Sequence, residues 1–199
     1  MNIDAKLVKE LRDRTSAGMM DCKKALVETK GNLEKAIEVL RMSGAAKAEK
    51  KGTRTAKEGL IYSYIHHGGK LGVLLDIACE TDFVAMTEGF RELSHNISMQ
   101  IAATNPIAID REDVSEEIIS KERKIYTEQA KAMGKPSNVL DKIVEGKMSK
   151  FYQDNCLIDQ VYIKDSDKRV KDLITEAIAT LGENITVNRY ARFAVGETA

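Results

Sequence analysis

This 199-residue sequence contains little cysteine and little proline, and neither charge is in excess. The three cysteines (Cys22, Cys79 and Cys156) lie far apart and form no CxxC pair or Cys/His cluster, so we expect buried thiols and no metal site. The 31 Lys and Arg residues balance the 31 Asp and Glu residues. Proteins that wrap nucleic acid usually carry a positive excess, so protein recognition is a better expectation than direct nucleic-acid binding.

Long apolar runs are also missing. None approaches the ~20 residues that a membrane span needs, and the first residues are charged with no apolar signal-peptide core. The sequence still contains 43% apolar residues, which excludes a disordered composition. We therefore expect a folded cytoplasmic protein with no membrane partner.

The sequence lacks the common motifs of enzymes. There is no P-loop, GxGxxG, HExxH or GxSxG pattern. Two of the three histidines, His66 and His67, are neighbours at a predicted turn, where their side chains diverge, so a surface pair is favoured over a metal site. These absences predict a protein without catalytic residues or a cofactor.

The first 45 residues show helical spacing in three short segments. Gly18, Gly31 and Gly44 are placed where helices are expected to stop, and Asn32 is a predicted N-cap. Residues 46–58 contain no large apolar side chain and are predicted to be a linker, with helix open for part of it. Its basic residues also allow a nucleic-acid tether, but Glu49 and Glu58 dilute the charge and favour a solvated linker.

The remaining residues, 59–199, are predicted to form an α+β domain. Alternating apolar residues predict a hairpin of two strands at 60–65 and 71–79, with the turn at Gly68-Gly69, and a late strand at 185–195. Helices are expected from Asp82 to about Ile101, over 115–133, behind Pro136 over 137–152, and over 170–181. The result is a helix-rich domain with a small three-stranded antiparallel sheet, whose open edges indicate a dimer.

One corner of this domain is distinctive. In CETDFVA, residues 79–85, a strand ends and a helix begins, and Phe83 falls in the first helical turn. An aromatic side chain there packs the helix start onto the core, which is the more frequent case, or projects as an anchor for a partner. The spacing alone does not choose between them.

Blocks in family order along nearly the whole chain resemble bacterial elongation factor Ts. The most specific are LVKELRDRTSAGMMDCKKAL (7–26), SGAAKAEKKG (43–52), ETDFVA (80–85) and GENITVNRYARF (182–193). HGGKLGVL (67–74), GKPSNVLDKIVEGKMSKF (134–151) and DQVYI (159–163) are similar too.

The resemblance implies a nucleotide exchange factor for the GTPase elongation factor Tu. Residues 1–45 would be a ubiquitin-associated-type three-helix module that docks on Tu, joined by the linker 46–58 to the core and dimerisation domain, 59–199. Thr81, Asp82, Phe83 and Val84 match the family motif that dislodges Mg²⁺ from Tu. Further partner contacts are implied for a few matching positions: Lys23, Lys51, His67, Gly68, Gly69 and Ile163.

The chain also departs from the family pattern. It has one sheet unit where longer members have two, which implies that two copies assemble to present both contact surfaces. Ala191 lies near the place where a short relative links its subunits through cysteine, so a non-covalent homodimer is expected. Ser16 replaces a usual glycine, without consequence for these expectations. The alternative function is a helical adaptor for RNA or peptides, supported only by the basic residues of the linker.

Overall fold

The computed structural model describes residues 3–15, 17–133 and 137–197. Its helices are α1 (Ala5–Thr15), α2 (Met19–Glu28), α3 (Leu33–Gly52), α4 (Asp82–Ala85), α5 (Glu88–Thr104), α6 (Glu116–Ala132), α7 (Ser137–Asn155) and α8 (Val170–Leu181). The strands are β1 (Glu58–Ile65), β2 (Leu71–Cys79), β3 (Val161–Tyr162), β4 (Asp165–Arg169) and β5 (Thr186–Ala194). Ser16 and Pro136, the predicted helix opener, lie outside the described residues.

The main sheet has the strand order β1-β2-β5 and is antiparallel, which confirms the predicted α+β class. A five-residue loop joins β1 to β2. Gly68 and Gly69 in this loop have φ of +91° and +68°. Residues with a Cβ adopt these values only with strain, so the glycine pair makes the turn possible. The backbone N–H of His66 donates to the Leu71 carbonyl at 2.8 Å and closes the loop.

Helices α1, α2 and α3 surround an apolar cluster of their own. Its buried members are Val8, Leu11, Cys22, Ala25, Leu26 and Ala36. Asn32 is the N-cap of α3, as predicted, and its side-chain oxygen accepts from the backbone N–H of Lys35 at 3.0 Å. This cluster gives the N-terminal helices a core, while the division into docking module, linker and core domain stays a prediction.

The predicted helix stop at Gly44 is wrong. Helix α3 continues through Gly44 to Gly52, so much of the predicted linker is helical and only residues 53–57 separate α3 from β1. Gly44 is buried, and a Cβ built on it would lie 3.3 Å from the Cβ of Ala179 in α8. The glycine allows two helices to approach closely rather than ending one of them.

The predicted continuous helix from Asp82 is also wrong, because Thr87 divides it. The hydroxyl of Thr87 donates to the Val84 carbonyl at 2.7 Å and accepts from the Phe90 backbone N–H at 3.2 Å. The Thr87 hydroxyl therefore satisfies a backbone carbonyl at the end of α4 and a backbone N–H at the beginning of α5. The helices α6, α7 and α8 and the strand β5 lie close to their predicted positions.

The hairpin β3–β4 was not predicted. It pairs Val161 with Arg169 and Tyr162 with Asp165. Its second strand, with the sequence DSDKR, is polar throughout and shows no alternation that indicates a strand.

The chain divides into two compact units. One consists of Met1–Tyr62, Asp76–Ser94 and Asp172–Asn188; the other consists of Ser63–Leu75, His95–Lys171 and Arg189–Ala199. In the second unit, the carboxylate of Asp159 is only 5% exposed and pairs with Arg111, with Arg169 at 3.9 Å and with Lys171 at 3.8 Å. Three cations thus compensate one buried charge.

We expect Gly44→Val to destabilise the protein by about 2 kcal/mol, because the added side chain collides with α8. For a chain of this length the melting temperature would fall by about 6 °C. Gly146→Val in α7 is the matched control, because a Cβ there meets nothing within 4 Å. Thermal melts followed by circular dichroism measure both, and an unchanged melting temperature for Gly44→Val would contradict the close approach.

Candidate functional site

The candidate site is the corner at which β2 leads into α4. Strand β2 ends at Cys79, and the single turn of α4 begins at Asp82. Thr81 between them has an extended backbone, and its hydroxyl accepts from the Val84 backbone N–H at 3.5 Å as an N-cap. The corner therefore places Asp82 and Phe83 in the first turn of a helix that is only four residues long.

Glu183 holds this corner from a distant part of the chain. One carboxylate oxygen, Oε2, accepts from the backbone N–H groups of Glu80 at 3.0 Å and of Thr81 at 2.9 Å. The other, Oε1, accepts from the Thr81 hydroxyl at 2.7 Å. Hydrogen bonds to a carboxylate are stronger than those between neutral groups.

Asn184 completes the connection. Its backbone N–H donates to Oε1 of Glu80 at 2.7 Å, so the two segments exchange carboxylate-to-backbone bonds in both directions. The side-chain amide of Asn184, which is 3% exposed, donates to the Arg54 carbonyl at 2.7 Å. The Arg54 guanidinium lies 3.6 Å from the other oxygen of Glu80. The corner is thereby tied to the chain that follows α3.

The thiol of Cys79 also belongs to the corner. It is buried and donates to the Thr81 carbonyl at 3.1 Å. Burial raises the pKa of this thiol above its ordinary value, and the nearby charge of Glu183 raises it further. The thiol therefore serves as a small buried donor rather than as a nucleophile.

Phe83 is 81% exposed, and Met86 just after α4 is 70% exposed. The interpretation of Phe83 as a side chain that packs on the core is wrong. The arrangement presents a large aromatic to solvent from a corner whose backbone is held by charged hydrogen bonds. Such a side chain can act as an anchor for a protein partner.

The other predicted contact residues are distributed between the two units. Lys23 is exposed on α2 and Lys51 is half-buried in the last turn of α3, both in the unit that contains the corner. His67, Gly68 and Gly69 are exposed in the β1–β2 loop of the other unit.

Ile163 belongs to that second unit and is 46% exposed after β3. The buried side chain of Gln100 holds this segment: its amide nitrogen donates to the Val161 carbonyl at 3.1 Å, and its oxygen accepts from the Ile163 backbone N–H at 2.9 Å. An exposed apolar residue is thus presented from an ordered backbone.

Sequence reasoning missed Glu183, Asn184 and Arg54 as parts of the site. Glu183 and Asn184 fall in the block that resembles the family, yet as a charged and a polar residue after a glycine they are also typical of an ordinary exposed turn. Their partners, Glu80 and Thr81, are about 100 positions away in the sequence, so no local pattern indicates the contact.

Over 3–15, 17–133 and 137–197, no group of three or more His, Cys, Asp and Glu side chains is arranged to hold a metal ion. Within the same ranges, no helix combines the length and the apolar character needed to cross a bilayer.

Known proteins resemble this chain over nearly its full length. The family described as Elongation factor TS matches residues 2–197. An elongation factor Ts from Fervidobacterium nodosum is 56% identical over 197 residues, covering 99% of this chain and 100% of the relative. One from Caldanaerobacter subterraneus subsp. tengcongensis is 58% identical over 195 residues, covering 98% of each. A third, from Thermosipho melanesiensis, is 57% identical over 195 residues and covers 98% of this chain and 100% of the relative.

The native thiols of Cys79 and Cys156 are expected to resist alkylation. Burial raises the pKa of Cys156 to about 11 from its ordinary value of 9.0, which corresponds to about a hundredfold less thiolate near neutral pH. The Cys156 thiol loses its proton at a lower pH in the unfolded chain than in the folded chain. The stabilisation that follows from the raised pKa is therefore complete below pH 9.0 and is lost as the pH rises towards 11. Iodoacetamide labelling with and without denaturant, read by mass spectrometry, gives the rates. Fast labelling of native Cys79 would show that the corner is not packed as described.

Proposed function

Because this chain belongs to the elongation factor Ts family, we propose that it is the guanine-nucleotide exchange factor of a translation system. It binds elongation factor Tu with GDP, dislodges Mg²⁺ and promotes GDP release, so that GTP can bind. No covalent bond is made or broken by this chain. A role in translation elongation also places it in the cytoplasm.

The exposure of Phe83 is the observation that carries this proposal. An aromatic side chain that is 81% exposed gains nothing from the core of its own fold, although full burial of such a side chain stabilises by about 1.5–3 kcal/mol. A partner that supplies a pocket recovers this free energy. Phe83 is therefore the proposed wedge, inserted into the GTPase beside its nucleotide.

Thermodynamic linkage explains how a wedge releases a nucleotide. If this chain weakens the binding of GDP and Mg²⁺ by some factor, it must itself bind nucleotide-free Tu more tightly by the same factor. Phe83 provides that difference if its pocket opens only when the nucleotide-binding elements have shifted. Loss of Mg²⁺ then removes charge neutralisation from the phosphates and weakens the hold on GDP. The carboxylate of Asp82, exposed beside Phe83, adds negative charge at this place.

Two groups of residues are proposed to dock the rest of the chain. The N-terminal module, residues 1–45, docks on the GTPase domain, and Lys23 of this module and Lys51 beyond it face the partner. In the other unit, His67, Gly68 and Gly69 contact a β-barrel domain of Tu, and Ile163 is a further contact with the partner. Exposure of the lysine at position 23, of the loop and of Ile163 is compatible with these contacts.

A non-covalent homodimer is proposed to bring the two groups to one Tu. In the second unit, Ile65, Leu74, Phe193 and Val195 are 46–76% exposed around an open depression of about 440 Å³. Contiguous exposed apolar side chains of this kind mark an interaction surface. A second copy is the proposed occupant: one subunit then offers Phe83, and the His67–Gly69 loop of the partner subunit reaches the barrel domain. All three cysteines are buried, so the association needs no disulfide.

We expect Phe83→Ala to fold normally and to slow GDP release from Tu about thirtyfold, the effect of losing a central aromatic anchor worth ~2 kcal/mol. Release of a fluorescent GDP analogue is followed by stopped flow, beside thermal melts. Met133→Ala is the matched control, because Met133 just after α6 is 53% exposed and lies outside every proposed contact surface. A full rate of release with Phe83→Ala would remove the basis of the wedge.

Light scattering under reducing conditions is expected to give twice the 22.1 kDa chain mass. Phe193→Lys should shift the protein to monomers, because a charge is costly in an apolar interface. Ile107→Lys, at a half-exposed residue outside the depression, is the control. A native protein that is a stable monomer and still exchanges at full rate would contradict the dimer.

A further inference from the structure

We propose that Glu183 is a positioning residue for nucleotide exchange: its carboxylate fixes the direction in which α4 leaves β2, and hence the direction in which Phe83 points. This inference rests on the proposed function, because it concerns the same corner. Glu183 itself is not proposed to touch Tu, Mg²⁺ or nucleotide.

Helix α4 cannot fix its own direction. It has four residues, a single turn, and a single turn of helix is unfavourable by itself because several backbone dihedrals are fixed for one hydrogen bond. Its N-cap bond, from the Val84 backbone N–H to the Thr81 hydroxyl, is long at 3.5 Å. Phe83 and Met86 are exposed, and the buried side chain of α4, Ala85, offers a single methyl group for packing. The orientation therefore depends largely on groups outside the turn.

Glu183 provides that orientation at the two residues before α4. Three donors of Glu80 and Thr81 converge on its carboxylate within 3.0 Å. The bond to the Thr81 hydroxyl also sets the rotamer from which that oxygen caps Val84. The carboxylate is itself placed by Gly182, which ends α8 at φ +85°, a backbone conformation that other residues adopt only with strain.

The return bond from the Asn184 backbone N–H to Glu80 makes the connection two-sided. Rotation of the corner would break bonds on both segments, so the backbone before Phe83 is restrained in more than one direction. An aromatic side chain can displace groups in a partner only if the backbone that carries it stays in place. If that backbone moves, binding free energy is lost in reordering the corner. We call the hydrogen bonds of Glu183 and Asn184 to Glu80 and Thr81 the clamp. It acts within three positions of Phe83, where such a restraint is needed.

Three variants separate positioning from simple stability. Glu183→Ala removes all three acceptor contacts. Glu183→Gln is the conservative rescue: both backbone bonds end on Oε2, where an amide oxygen can replace it, and the amide nitrogen can donate to the Thr81 hydroxyl. Glu92→Ala, at an exposed glutamate of α5, is the matched control for loss of a surface charge.

Each variant is tested in the full chain for melting temperature, for hydrogen exchange at the Glu80 and Thr81 amides, and for GDP release over a range of its concentration. For Glu183→Ala we expect the maximal release rate to fall about tenfold and the two amides to exchange about tenfold faster, the scale of one lost charged hydrogen bond. The half-saturating concentration stays within about threefold, because the docking surfaces are intact. Glu183→Gln should restore the maximal rate to within about threefold.

The outcomes distinguish this inference from the proposed function. A full maximal rate for Glu183→Ala beside a slow Phe83→Ala overturns the positioning role alone. So does a loss in Glu183→Ala that is accounted for by unfolded protein, or a loss of equal size in Glu183→Gln. A full rate for Phe83→Ala overturns the wedge and the positioning role with it, whereas the proposed function fails if the native chain does not accelerate GDP release.

Discussion

A carboxylate that accepts three hydrogen bonds determines the shape of the corner between β2 and α4, and the presentation of Phe83 depends on it. Glu183 contacts Glu80 and Thr81, and Asn184 returns a bond to Glu80. These segments are about 100 residues apart in sequence, so the hydrogen bonds that hold the corner are tertiary contacts. The exposed wedge is therefore a consequence of tertiary structure rather than of a local turn.

The corner also shows how an exposed functional group is supported at little cost to the fold. Phe83 gives up the stabilisation of burial, while Cys79 two residues before the N-cap is fully buried and donates to the Thr81 carbonyl. Nearby, Ile77 and Phe90 are fully buried on either side of the corner in sequence. Stability thus comes from the flanking strand and helix, and the one turn between them is left for recognition.

Local chemistry predicted much of this fold. The N-cap Asn32, the turn at Gly68-Gly69 and the end of α8 before Gly182 follow from side-chain types and spacing. The errors share a cause in contacts that spacing does not reveal. Spacing predicts a helix end at Gly44 because the packing partner of this glycine, Ala179, is distant in sequence. Spacing also predicts helix interior at Thr87, although the hydroxyl of Thr87 divides α4 from α5. The motif at Thr81–Val84 and a partner-facing Phe83 follow from the family resemblance, whereas side-chain spacing alone leaves Phe83 undecided and gives no indication of the contacts of Glu183.

The central claim, that this chain releases GDP by preferring Tu in a state that holds nucleotide poorly, is tested most directly by reciprocity. The dissociation constant of this protein is measured by titration calorimetry for nucleotide-free Tu and for Tu with GDP and Mg²⁺. In parallel, the affinity of Tu for GDP is measured with and without this protein. The account predicts tighter binding to nucleotide-free Tu, by the same factor as GDP binding is weakened. Equal affinity for the two forms of Tu would contradict it.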